Sequence, residues 1–361
     1  MKKAALVGLV VVVLATVAWI YVKPRPSNQR VLNLLCWSGY EDPMFIKAFE
    51  DQYKIKVNAK TFFGGDGMMA LLTQSPGTYD VVVVDKDYLQ KLYEARLLTE
   101  LRESDYDFSN YWPVFQDASF ARRDGRLYGV PVEFGTSVIA YNSTKLTNAD
   151  VGSYDVLWND KVRGKVGIWD WYLPTMGVVS LSLGNSKPFD ITDQQLKAVR
   201  ERLFELRPQV AAFHTTPTEI ISGLATEDTW IVPGAGEWLA SIMAQQGHPI
   251  NWVIPKEGGL IWIDTLVIPV GAPNPESART YIQWMQTPEA QVFLSQKSSF
   301  NANVMNRAAY DLLTPEQRKI LRVESATDVD EMLSNVTDRT LPVQQTEAVW
   351  QGIWEEFKAR K

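Results

Sequence analysis

Residues 255–269 read PKEGGLIWIDTLVIP. Gly258-Gly259 marks a turn, and the run that follows is apolar except at Asp264 and Thr265, as a buried strand would be. In a strand, residues i and i+2 point to the same side. Trp262 and Asp264 therefore stand together on one face. An indole beside a carboxylate is a receptor for an organic cation, because the ring quadrupole and the negative charge attract the same ligand. The competing reading is a core tryptophan next to a turn aspartate at a strand end. The pattern does not separate the two.

A chain of 361 residues is long enough for about two domains, each with its own core. Its net charge of −6 argues against a nucleic-acid partner, which needs a basic face, and suits a cationic solute. Cys36 is the only cysteine, so no disulfide framework and no cysteine metal cluster are expected. It reads as a small buried hydrophobe at the end of a strand. His214 and His248 are the only histidines, and neither has a helix-spaced partner for a zinc site or a triad. The pattern calls for no metal and no cofactor.

The N-terminus, MKKAALVGLVVVVLATVAWIYVKPRPSNQR (1–30), opens on two lysines followed by an apolar run over 4–22. One reading is a signal peptide cleaved after Ala18; the other is an uncleaved single-span anchor. Either places the rest of the chain outside the cytoplasm. Residues 23–30 read as an extended linker because prolines punctuate it.

Strands and helices then alternate. Strands are expected at 31–36, at 55–59, in the continuous apolar run YDVVVV (79–84), and at 165–169, 230–232 and 252–254. A helix follows Pro43 with Phe45, Ile46, Phe49 and Tyr53 on one side, and another spans 194–206. The stretch 63–67 reads as a glycine turn leading into a short helix over 68–72. Thr216-Pro217-Thr218-Glu219 and Thr314-Pro315-Glu316-Gln317 carry capping-box spacing. Residues 345–361 read as an amphipathic helix with Val349, Trp350, Ile353, Trp354 and Phe357 inward. Such alternation implies α/β layers with mainly parallel sheets, in which ligands bind beyond the carboxyl ends of strands.

Four strand ends carry aromatic or acidic groups: Trp37-Ser38-Gly39-Tyr40, Asp85-Lys86-Asp87, Trp169-Asp170-Trp171-Tyr172, and Trp262 with Asp264. One alone is weak, since aspartate favours turns anyway. Together they suit an ammonium group held by rings and carboxylates. A nucleophile–base pair is missing, so binding without catalysis is expected.

The sequence resembles the periplasmic spermidine/putrescine-binding proteins that serve polyamine ABC transporters. The resemblance rests on PKEGGLIWIDTLVIP, QVAAFHTTP (209–217), TYDVVVVDKDYLQKL (78–92), LLCWSGYEDP (34–43), YGVPVEFGTSVIAYN (128–142) and YIQWMQTPEAQ (281–291). It implies a two-lobed type II periplasmic-binding-protein fold with crossover hinge strands, in which 31–136 plus 266–305 form one lobe and 137–265 plus 306–361 the other. It further implies a ligand site at Trp37, Ser38, Tyr40, Asp85, Asp87, Trp171, Thr215, Trp262 and Asp264, with Phe300 near the cleft. Glu133, at the first crossover, is read as a solvated strand-end glutamate, and is the residue to watch were the fold to carry an enzyme.

Three departures stand out. Gly39 replaces an acidic position, Trp171 and Pro174 replace an acidic pair, and a tryptophan expected after 230–233 is displaced to Trp238. Asp85, Asp87 and Asp170 are expected to restore the missing charge from other directions. The resulting expectation is a monomeric periplasmic receptor, tethered if the anchor stays, for a polyamine or related cation. Its partner is an ABC permease or, alternatively, a membrane sensor.

Overall fold

The computed structural model describes residues 29–296, 303–323 and 326–360. The expected signal peptide or anchor, residues 23–28 of the expected linker and Phe300 lie outside the described residues. Arg30, assigned to the linker from sequence, already opens the first strand. Among the described residues no helix is long and apolar enough to cross a membrane.

Strands β1 (Arg30–Cys36), β2 (Ile55–Thr61) and β3 (Val81–Asp85) pair in parallel in the order β2-β1-β3. The helix Pro43–Tyr53 returns the chain from β1 to β2. It starts where the Asp42 side chain accepts from the Met44 amide at 2.9 Å and Pro43 presets the first turn, and it buries Phe45 and Phe49. The glycine-rich stretch read as a turn forms instead the first turn of the helix Gly64–Gln74. A short hairpin, β4 (Arg122–Arg123) and β5 (Arg126–Leu127), precedes β6 (Val130–Asn142), whose thirteen residues are all buried. On the far side β7 (Val166–Trp169), β8 (Val210–His214) and β9 (Ile231–Gly236) form a second parallel set in the order β9-β7-β8.

β10 (Ile250–Val253) runs antiparallel on β6, and β11 (Gly259–Val267) lies between β3 and β6. The short strands β12 (Asn303–Val304) and β13 (Val336–Asp338) add to β6 and β11. The resulting order, β2-β1-β3-β11-β6-β9-β7-β8, is that of a two-lobed α/β fold. The mainly parallel sheet expected from sequence is corrected at its centre, where β3–β11, β11–β6 and β6–β9 are antiparallel. Strand–helix alternation dictates parallel neighbours only within a lobe. The two long strands that serve both lobes pair with each other and reverse the direction.

Cys36 is buried at the end of β1, as expected. The box at Thr314 closes through Gln317. At Thr216 only half of it forms: Thr216 accepts from the Glu219 amide, whereas the Glu219 carboxylate turns to the Thr215 amide at 2.6 Å. In the last helix, Glu347–Ala359, Trp350, Ile353, Trp354 and Phe357 are buried but Val349 is exposed. Val349 falls off the stripe that the other four define.

Where β9 turns into the helix Glu237–Gln245, the buried Glu237 side chain accepts from the Thr136 amide of β6 at 2.8 Å. Burial pushes its carboxyl up from 4.5 to about 8. A carboxyl raised on folding holds its proton longer in the native state, so it contributes stability at acid pH that is lost as pH rises through about 8. Thermal melts should show wild type losing more stability than Glu237→Gln between about pH 5 and about 8. Parallel curves would show that Glu237 is ionised throughout.

Candidate functional site

β11 pairs with β3 so that Asp264 stands opposite Asp85, and with β6 so that it stands opposite Glu133. Three carboxylates thus sit abreast on one face of three neighbouring strands. Their exposures are 4%, 4% and 0% for Asp85, Asp264 and Glu133. Both sequence-based alternatives for these residues need correction. Asp264 is in the middle of β11 and not at a strand end, and Glu133 is fully buried rather than solvated. A bulge between Asp264 and Thr265, opposite Glu133 and Pro131, fixes this register; bulges commonly re-aim side chains beside binding sites. The Tyr40 hydroxyl donates toward the pair, 2.9 Å from Asp264 Oδ2 and 3.4 Å from Glu133 Oε2. Burial first, then the two carboxylates, push the Tyr40 phenol well above its ordinary pKa, so it remains a donor.

Two residues earlier on the same face, Trp262 lies on Gly135, its register partner on β6. A Cβ there would come within 2.2 Å of the indole, so only glycine admits the ring. Trp238, the displaced tryptophan, packs against Gly236 in the same way. Above this floor opens a cavity of about 680 Å³, its open mouth included.

The cavity walls are aromatic. Trp37 and Phe62 come from the β1 and β2 ends, with ring centroids 4.5 Å apart. Trp171 faces Trp37 at 6.0 Å, and Phe63 stacks on Trp169 at 6.4 Å. These two contacts join the ends of β1 and β2 to the end of β7. Lys91–Glu347 and Asp66–Gln351 add polar contacts of 2.8 Å each. The two lobes therefore meet across the cleft.

Of the nine site residues expected from sequence, Trp37, Ser38, Asp85, Trp171, Trp262 and Asp264 line this cavity. Tyr40 stands behind it, hydrogen-bonded to Asp264. Asp87 also stands behind it, held by Arg339. Thr215 is brought elsewhere: it is exposed, and its hydroxyl donates to the Glu219 carboxylate at 3.1 Å.

Arg339 is the residue that sequence reasoning missed. It follows β13 and is 3% exposed. Its guanidinium is ion-paired with Asp85, bonds Asp87 at 2.7 Å and lies 4.6 Å over the Trp171 ring. Burial pulls its pKa down to about 9, still far enough above neutrality to keep it charged. Lys86 completes the cluster, 3.7 Å from Asp87 and donating to the Arg339 carbonyl at 2.8 Å. Asp170 is tied by Lys358 at 3.0 Å and by the Trp354 indole, outside the cavity lining. Asp85, Asp87 and Asp170, expected from sequence to supply charge to a ligand, are each paired here with a cation of the protein. Among the described residues no group of His, Cys, Asp and Glu is placed to hold a metal ion.

The profile of the family Bacterial extracellular solute-binding protein matches residues 44–309. A spermidine/putrescine-binding periplasmic protein of Escherichia coli is 28% identical over 294 residues, covering 80% of this chain and 82% of that protein. A putrescine-binding periplasmic protein of the same organism is 26% identical over 379 residues, covering 100% and 99%. The solved structure of a spermidine/putrescine ABC transporter substrate-binding protein from Streptococcus pneumoniae shares the fold. Its TM-score is 0.74 at 23% identity, over 91% of this chain and 98% of that one. With a two-lobed fold, an aromatic cleft between the lobes and a family match over most of its length, this chain belongs to the bacterial extracellular solute-binding proteins.

Proposed function

We propose that this chain is a periplasmic receptor that binds an organic amine of the polyamine class between its lobes and hands it to an ABC transporter. The observation that carries the reading is the floor of the cavity. There Trp262 and Asp264 stand on one strand face, with Tyr40 fixing the carboxylate from behind. The names of the two Escherichia coli relatives point to the same ligand class, and that of the Streptococcus pneumoniae protein to an ABC transporter.

The energetics suffice for a transport receptor. A well-placed ring contributes about 0.5–2 kcal/mol to a bound cation, and a charge-assisted hydrogen bond about 1.5–3 kcal/mol. Several rings and one carboxylate closed off from water reach about −8 kcal/mol, micromolar affinity, after the cost of association. On this reading the site holds and releases its ligand unchanged. A monomer presenting both lobes to the permease fits this role, and lobe closure would carry the signal that ligand is bound.

Two measurements test the reading. Isothermal titration of the purified protein with putrescine, cadaverine, spermidine and singly charged amines should give heat with at least one at micromolar concentration. Silence across the whole series would remove the amine assignment and leave the fold untouched. Trp262→Ala and Asp264→Asn should each weaken the best ligand by about tenfold or more, consistent with loss of about 1.4 kcal/mol or more. Unchanged melting curves would show that the loss is local. Affinities within twofold of wild type in both variants would place the ligand elsewhere.

A further inference from the structure

We infer that the C-terminal segment, residues 336–351, is a clasp that holds the cleft shut and so sets the balance between closed and open forms of the chain. Closure by this clasp needs no particular ligand. The segment is anchored on the β7–β9 side. Thr337 donates to the Ser186 carbonyl at 3.3 Å and Gln345 to the Ile191 carbonyl at 2.7 Å, both in the stretch between β7 and β8. The helix that follows, Glu347–Ala359, is tied to Asp170, just past β7, by the Trp354 indole at 3.0 Å.

From that anchorage the segment reaches the β1–β3 side. Arg339 is ion-paired with Asp85 at the end of β3 and bonds Asp87 at 2.7 Å. Lys86, between those two, donates to the Arg339 carbonyl at 2.8 Å and lies 3.3 Å from Asp338. Farther out, Glu347 accepts from Lys91 and Gln351 donates to Asp66, both at 2.8 Å. The end of β3 thus presents two acids and one base, Asp85, Asp87 and Lys86. Asp338 and Arg339 come to meet them with the guanidinium inward and Asp338 exposed.

The inner links dominate. The Arg339, Asp85 and Asp87 side chains are 4%, 4% and 0% exposed, and taking one partner from such a buried cluster is strongly destabilising. Withdrawing Arg339 would also return Asp85 to the row with Asp264 and Glu133 without its guanidinium. The rigid fork of arginine, lying 4.6 Å from the Trp171 ring, holds both carboxylates in one placement and thereby fixes the closed register. Lys91 and Glu347, 36% and 21% exposed, add less, because water screens them.

The test is the distance between nitroxides on Lys60→Cys and Thr218→Cys, read by double electron–electron resonance on the full chain with no ligand added. Both positions are exposed, one on β2 and one on the helix after β8, the opposite edges of the sheet order, and the native Cys36 is buried. The chain with its clasp intact should give mainly one short, narrow distance. Arg339→Met should move the open:closed ratio toward longer distances by about tenfold or more, and Glu347→Lys, at the more exposed link, by about threefold. Glu201→Lys, the same charge change on the exposed face of the helix Asp193–Glu205, should leave the distribution as it was. The clasp is overturned if the intact chain is already mostly at long distances, if both clasp variants keep its distribution, or if Glu201→Lys shifts it equally. Should Arg339→Met fail to fold, the intact chain and Glu347→Lys decide the matter.

Discussion

Three carboxylates in one row of a sheet repel one another. At about 5 Å between neighbours and an effective dielectric of about 20, each ionised pair costs about 3 kcal/mol. The row of Asp85, Asp264 and Glu133 is nevertheless enforced by the pairing of β3, β11 and β6, whose residues are almost wholly buried. Much of the surrounding structure is an answer to that repulsion. Arg339 settles on Asp85, and Tyr40 places its hydroxyl between Asp264 and Glu133. A bound ammonium would be a further cation on the same row. Ligand affinity and the stability of the sheet are thereby linked through one electrostatic constraint.

The strands that enforce the row also connect the lobes. β6 pairs at its start with β11 and at its end with β9 and β10, so one continuous strand carries the chain from one lobe into the other. Glu133 and Gly135 lie on that strand, beside the partners Asp264 and Trp262. Any rotation of the lobes therefore pivots next to the floor of the cavity. A rotation would move the outer walls, Trp37 with Phe63 and Trp171 with Trp169, relative to each other.

Much of this was legible in the sequence because it is local. The spacing of Trp262 and Asp264 places them on one face whatever the fold, and the period-3.6 stripes located most helices. Glu133 left a signal that was misread: an acidic residue inside an apolar run of strand length is more consistent with a buried partner than with a solvated end. Arg339 left almost none. It follows a three-residue strand in a polar segment, and its partners Asp85 and Asp87 lie some 250 positions earlier in the chain. Thr215 is the opposite case. Its neighbourhood matched a motif, but a local acceptor, Glu219, claimed the hydroxyl.

The departures from the polyamine-receptor pattern have one direction in common. Gly39, Trp171 and Pro174 stand where that pattern carries acids, and Arg339 adds a buried positive charge beside Trp171. Every one of these differences makes the cleft less negative. None of them removes aromatic surface; Trp171 adds some, and Trp238 reaches the cavity despite its displacement because Gly236 makes room. Aromatic walls grip cations and apolar chains of many lengths with little discrimination, whereas each buried charge admits or refuses a complementary one. Keeping the rings leaves the cleft suited to both the carbon chain and the ammonium group of an amine.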